Sequence, residues 1–261
     1  MRGLKFHPGT HRYYLDGKPV PGVTGIIGVL DKPALPKWAA KTVAEYVADN
    51  PDGVENLRSM GREPMVAALK ELPWQKRDEA AERGHKFHYY AEKMLLGEVV
   101  EVPESQVPLV ESALDFMEKW GIQPVLTETA VGSRAHRYAG TFDMVADHNR
   151  GPRAIWDWKS GKRIYSGACF QLNAYGHAEF RGLAGDEHPM SDLGIEAAYG
   201  IHIRADGYDV YPVKYGPDVY REFLVIREAY DLNKRAEGNW REPGSGYVGR
   251  AIQDQSEENA A

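Results

Sequence analysis

The sequence carries a single cysteine in 261 residues, Cys169. One thiol excludes a disulfide framework within the chain, and it excludes a four-cysteine zinc or iron–sulfur site. A reducing cytoplasm is therefore the expected compartment. No run of about 18 apolar residues occurs, so no membrane-spanning helix is expected. The opening "MRGLKFHPGTHRYYLDG" lacks the apolar stretch of a secretory signal. Internal repeats and low-complexity blocks are absent. So is a G-x-x-x-x-G-K-[ST] loop, which excludes an ATP-driven motor. Basic residues are outnumbered, and the net charge is −6. That average argues against a nucleic-acid partner, but the charge is segregated. Residues 1–41 hold seven Lys/Arg against two acids, and residues 132–163 hold seven against three. The last residues, "DQSEENAA", read as a short disordered acidic tail over 251–261.

What is present divides into two patterns. Residues 4–20 alternate with aromatic strands and a turn at Asp16-Gly17, predicting a β-hairpin. A Gly/Pro-punctuated loop follows, then helices near 36–49, 55–70, 75–97 and 106–120, the last stopping at Gly121. Beyond that, "PVLTETAVG", "RYAGTFDMVAD" and "RAIWDWKSG" read as three strands in succession. "GACFQLNAYGHAEFR" has helical spacing, "IEAAYGIHIRADGYDVYPV" is a hairpin turning at Asp206-Gly207, and a last helix begins at Pro217. The order predicts an α/β fold: a mixed β-sheet flanked by helices, with a helical N-terminal region over it. We expect one domain over 1–250, with a hairpin and helical region at 1–121 and an α/β core at 122–240.

Charges stand where buried strands should be apolar. Asp143 lies mid-strand in "GTFDMVAD". Asp157 and Lys159 flank Trp158, two residues apart and so on one face, with Trp156 and Trp158 on the other. If those strands pair, the Asp143 carboxylate approaches that of Asp157. Two carboxylates at close range repel, and burial sharpens the repulsion, so a divalent cation between them is the natural reconciliation. Oxygen ligands suit Mg²⁺ or Mn²⁺, and a lysine nearby can orient or deprotonate a water or hold a phosphate oxygen. That is equipment for metal-assisted phosphodiester hydrolysis. The bland reading of D-x-K is solvated charge on a strand face. Glu128, in "VLTETAV", reads alone as an exposed strand glutamate. His88 falls on a small-residue helix face with Ala81, Gly84, Ala91 and Leu95, where the ordinary reading is a core histidine bonded to Glu92. His85 and His88 are spaced for zinc, but no third soft ligand is evident. Gln171 and Tyr175 lie one turn apart.

Taken together these residues resemble the PD-(D/E)XK nuclease superfamily, in its RecB-like exonuclease branch. "GHKFH" is similar to that branch's G-x-x-x-H helix (His88), Glu128 to its strand glutamate, and "GTFD" to G-x-x-D (Asp143). "DWK" is similar to its D-x-K (Asp157, Lys159), and "QLNAY" to its Q-x-x-x-Y (Gln171, Tyr175). Each motif is common alone; five in this order define the resemblance, which covers about 84–175 by motif. It implies a restriction-endonuclease-like core and Mg²⁺ or Mn²⁺ held by Asp143, Asp157, the Trp158 carbonyl and His88, with Glu128 contributing. It also implies Lys159 assisting the attacking water, and substrate contacts from Gln171, Tyr175, Lys162 and Arg163. Many relatives carry four cysteines for an iron–sulfur cluster; this chain does not, so no cluster is expected, and no ATP. The implied activity is a metal-dependent DNA exonuclease in phage or bacterial recombination, repair or degradation. Tyr13, Tyr14 and Trp38 are candidates to stack on bases, with a place in the core as the ordinary reading of each. A single-strand annealing protein or a helicase is an expected partner, and an oligomer is compatible. Alternatives are a structure-specific endonuclease and a non-catalytic DNA-end-binding accessory protein.

Overall fold

A computed structural model describes residues 3–238 and 245–248. The expected tail over 251–261, and the expected ends of the core at 240 and of the domain at 250, lie outside them. The aromatic N-terminal segment forms three strands rather than one hairpin: β1 (Leu4–His7), β2 (Arg12–Leu15) and β3 (Lys18–Val20), an antiparallel meander with the expected turn at Asp16–Gly17. After it come α1 (Val23–Ile27), α2 (Ala34–Asp49), α3 (Pro51–Ser59), α4 (Arg62–Leu95) and α5 (Val107–Trp120). Two helices were expected where α4 runs unbroken through Pro73. The chain breaks earlier, at Gly61, whose φ of +99° suits glycine. An interior proline removes one donor and crowds one carbonyl, a local penalty of about 3 kcal/mol that a 34-residue helix absorbs. Among the described residues no helix is long and apolar enough to cross a membrane.

The second half holds β4 (Gln123–Ser133), β5 (Tyr138–His148), β6 (Gly151–Lys159), α6 (Gly167–Gly176), β7 (Phe180–Arg181), β8 (His188–Pro189), β9 (Ala197–Arg204), β10 (Gly207–Val213) and α7 (Pro217–Glu237). The strands form one seven-stranded sheet in the order β10-β9-β6-β5-β4-β7-β8. Only β6 and β9 run parallel, joined through α6, so the sheet is mixed. The helix expected over 167–181 ends at Gly176 instead. Phe180 joins β7 because Gly132 on β4 makes room for its ring; a Cβ there would come within 2.7 Å of it.

Helices cover both faces. Trp156 and Trp158 of β6 pack with Phe87 of α4 and Phe116 of α5. On the opposite face Ile155 packs with Leu172 of α6, Phe223 of α7 and Ile26 of α1. The α4 and α5 helices therefore share a core with the sheet. The N-terminal sheet lies on β4, β5 and β7 through Leu4, Tyr13, Leu15, Ala139 and Phe180. Arg134 pins it there, reaching Asp16 at 3.1 Å and Glu187 at 2.7 Å, while Glu187 accepts from the Leu4 N–H.

Candidate metal centre

The site forms where β5 and β6 part. Their ladder pairs Ala146 with Ala154, Val145 with Ile155 and Met144 with Trp156. The next position in that register would set Asp143 against Asp157, and the ladder stops short of it. Instead the Trp158 N–H donates to Asp143 Oδ2 at 2.7 Å. On the other side of β5, Thr127 pairs with Met144 and Thr129 with Phe142, while Glu128 between them leaves the ladder with φ +40°. The Thr129 hydroxyl bridges the irregularity by donating to the Thr127 carbonyl at 2.8 Å. A non-glycine residue in this region carries strain of order 1–3 kcal/mol, and such strain concentrates at functional sites.

Glu128 thus stands level with Asp143, and α4 brings His88 to both. One ligand atom from each of His88, Glu128 and Asp143 lies within 4.8 Å of the others. His88 Nδ1 is 3.4 Å from Asp143 Oδ1, so its partner is Asp143 rather than Glu92. His85 lines the same cavity but stands outside this group.

The D-x-K pair adjoins the group. As alternation requires, Asp157 and Lys159 face α6 while the two tryptophans face α4 and α5. Lys159 Nζ donates to Asp157 Oδ1 at 2.8 Å, and Gln171 Nε2 donates to the same oxygen at 3.1 Å. Asp157 Oδ2 lies 2.6 Å from Nζ but outside hydrogen-bonding angles with it. Both oxygens of this carboxylate, in a side chain only 2% exposed, lie against the Lys159 ammonium. Gln171 also reaches the Tyr175 hydroxyl, at 3.4 Å. The Tyr175 ring fills the space over Gly140, where a Cβ would come within 2.3 Å of it. The glycine of "GTFD" therefore has a packing reason. The glycine of "GHKFH" has none of that kind: a Cβ on Gly84 would meet Ser160 at an ordinary 3.5 Å.

Electrostatics tie the members together. Burial opposes a charge on His88, but the Asp143 carboxylate outweighs it and raises the imidazole to about 9. Burial likewise opposes ionisation of Asp143, and His88 overcomes it, holding that carboxyl below its ordinary value. Asp157 is raised by burial, and Asp143 adds to the rise. Burial disfavours a charged Lys159, but Asp157 and Asp143 dominate and keep it protonated. Glu128 is pushed up to about 8 by burial and then by Asp143. Its side chain is exposed, and it lines the cavity within reach of the Asp143 carboxylate, whose charge adds to the rise.

An imidazole and two carboxylates with ligand atoms within 4.8 Å of one another, beside the buried Asp157 carboxylate, form a donor set that could hold a divalent ion, and oxygen ligands of this kind suit Mg²⁺ or Mn²⁺. The group sits in a cavity of about 640 Å³, together with Lys159, Gln171 and Tyr175. Lys162 and Arg163 do not line it; they stand exposed on the loop after β6, Arg163 stacked on Tyr165. Of the aromatic residues expected to stack on bases, only Tyr13 lines the cavity, and its buried hydroxyl pairs with Thr141 at 2.9 Å. Tyr14 packs against His7, and Trp38 is half-buried on α2. Thr141, Phe6, His11 and Tyr89 are lining residues that sequence reasoning missed. Thr141 alone had a signal, lying two residues before Asp143 and so on its face. No protein-family model matches the chain, and no curated protein matches it.

Proposed function

We propose that the chain is a Mg²⁺- or Mn²⁺-dependent deoxyribonuclease on a restriction-endonuclease-like core, hydrolysing phosphodiester bonds from DNA ends. The observation that carries the reading is the parting of β5 from β6, which sets His88, Glu128 and Asp143 beside the Asp157–Lys159 pair in one cavity. His88, Asp143 and Asp157 would hold the metal, with Glu128 and the Trp158 carbonyl completing the set. A bound divalent ion supplies charge against a phosphate and lowers the pKa of water toward neutrality. Lys159, kept protonated by Asp157, orients the attacking water or holds a non-bridging phosphate oxygen. Gln171 fixes the Asp157 oxygen that Lys159 shares, and Tyr175 buttresses Gln171. Lys162 and Arg163, exposed beside the cavity, would meet the DNA backbone.

The test is digestion of end-labelled linear duplex, single-stranded and closed circular DNA with Mg²⁺, Mn²⁺ or EDTA. Wild type is compared with Lys159→Ala and Asp143→Ala. Expected is metal-dependent loss of linear DNA, reduced by at least about 10²-fold in each variant, with circles intact. Undiminished cleavage by either folded variant overturns the assignment. Cleavage of circles replaces exonuclease by endonuclease, and binding without cleavage of any substrate replaces it by an end-binding protein.

A further inference from the structure

The cavity of the metal centre has a neighbour. His11, Tyr13 and Gly22 form part of its lining, and the same three residues line a second cavity of about 360 Å³, completed by β3, Arg12 and Tyr230 of α7. The reading above makes no use of this second cavity. Arg12 is exposed and has no ion-pair partner among the described residues. His11 is exposed too, meeting the Phe6 ring edge-on at 5.2 Å. Tyr230 offers a half-buried ring, with Arg227 and Lys234 at 5.6 and 5.9 Å from its centroid. Those two cations are paired with Asp231 and Glu237, so the uncommitted charge at this cleft is Arg12. A free cation and an aromatic ring lining one cleft are the chemistry of single-stranded nucleic-acid binding: the cation meets a phosphate and the ring meets a base.

We infer that the second cavity is a subsite for a single-stranded segment of DNA whose neighbouring phosphate lies at the metal centre. The strand crosses the wall that His11, Tyr13 and Gly22 share between the two cavities. Arg12 takes a backbone phosphate and Tyr230 stacks on a base. This rests on the nuclease reading and specifies its substrate: the strand being cut is unpaired where it leaves the site, because a base must leave its duplex stack to lie on the Tyr230 ring. Gly22 supplies a plug for the path. Its φ of −75° suits any residue, and a Cβ there meets the Tyr13 ring at an ordinary 3.6 Å. Leucine at this position adds bulk on the shared wall without straining the backbone.

The experiment compares wild type with Arg12→Ala, Tyr230→Ala, Tyr230→Phe and Gly22→Leu, each first matched to wild type in melting temperature. Binding of a labelled oligothymidylate and of a blunt duplex is read by fluorescence anisotropy with Ca²⁺. Hydrolysis is read on the oligonucleotide and on thymidine 5′-(4-nitrophenyl phosphate), a substrate that reaches only the metal centre. Tyr230→Ala should weaken single-strand binding about 5- to 150-fold, with Tyr230→Phe restoring it. Arg12→Ala should reduce the slope of log affinity against log salt by about 0.7. Arg12→Ala and Tyr230→Ala should raise KM for the oligonucleotide and leave kcat and the small ester unchanged; Gly22→Leu, on the wall shared with the metal-centre cavity, should raise KM for the oligonucleotide more than for the small ester. Single-strand affinity unchanged in Arg12→Ala and Tyr230→Ala overturns the subsite while leaving the nuclease intact. Equal loss on duplex overturns the single-strand assignment. If wild type hydrolyses neither substrate but the variants still lose single-strand affinity, the nuclease reading fails and the subsite stands.

Discussion

Two residues of the candidate centre hold protons that their ordinary pKa values would release by pH 7. His88 is raised from 6.5 to about 9 and Glu128 from 4.5 to about 8. For His88 the folded state binds its proton more tightly than the unfolded state. Its contribution is therefore complete below pH 6.5 and is lost as pH climbs through 9. Glu128 works in the same direction, because the fold favours its protonated form and loses that advantage between about 4.5 and 8. Metal-free stability should fall between pH 6.5 and 9, by about 2–3 kcal/mol through His88. Urea denaturation in EDTA at both pH values checks this, and His88→Gln should flatten the fall; an equal fall in that variant contradicts it. Metal ligands must shed these protons, so added Mn²⁺ should stabilise the fold more at pH 9 than at 6.5. Gly140 is the other residue whose role is local. Gly140→Ala drives a methyl into the Tyr175 ring and should cost about 1–3 kcal/mol by chemical denaturation, against near-neutrality for Gly84→Ala.

At the scale of elements, strand alternation was legible: placing Asp157 and Lys159 opposite Trp156 and Trp158 needs only a period of two. The cap at Gly121, the Asp206–Gly207 turn and the proline start of α7 were legible for the same reason, since each is a property of a few adjacent residues. The errors came where neighbours decide. Phe180 sits at helical spacing from α6 yet pairs with β4, because Gly132 offers its ring a place. The break expected between 70 and 75 falls at Gly61 instead. The loop that carries Lys162 and Arg163 is set by contacts remote in sequence. Ile164 fills the space over Gly200, where a Cβ would come within 2.6 Å of it, and His202 meets the Gly161 carbonyl at 2.7 Å. Gly200→Ala should therefore loosen residues 160–166. Limited proteolysis is the check, with faster cleavage in that loop expected and wild-type kinetics contradicting the anchor.

Across the whole molecule, burial is uneven. The mixed sheet carries large buried side chains on both faces, whereas over 34–86 the only buried residue is Pro73. Helices α2 and α3 and the first half of α4 are therefore held mainly by half-buried contacts such as Trp38 and Leu69. Opening free energy follows buried apolar contact. Amide exchange over 34–70 should be at least about tenfold faster than in β5 and β6; equal protection would show that the helices share the stability of the sheet.

The sequence by itself determined the main strands and helices of the core, the faces on which charge and aromatic rings fall, and the set of residue types that suits a divalent metal. Those follow from local period, turn chemistry and ligand chemistry, which adjacent residues carry in full. Only the tertiary structure decided that His88 meets Asp143 rather than Glu92. The same is true of Glu128 leaving its ladder to stand beside them, and of Lys162 and Arg163 standing outside the cavity. Convergence of this kind depends on where two strands part and on which helix lies across the gap. Both are set by packing between segments far apart in the chain, which no local pattern records.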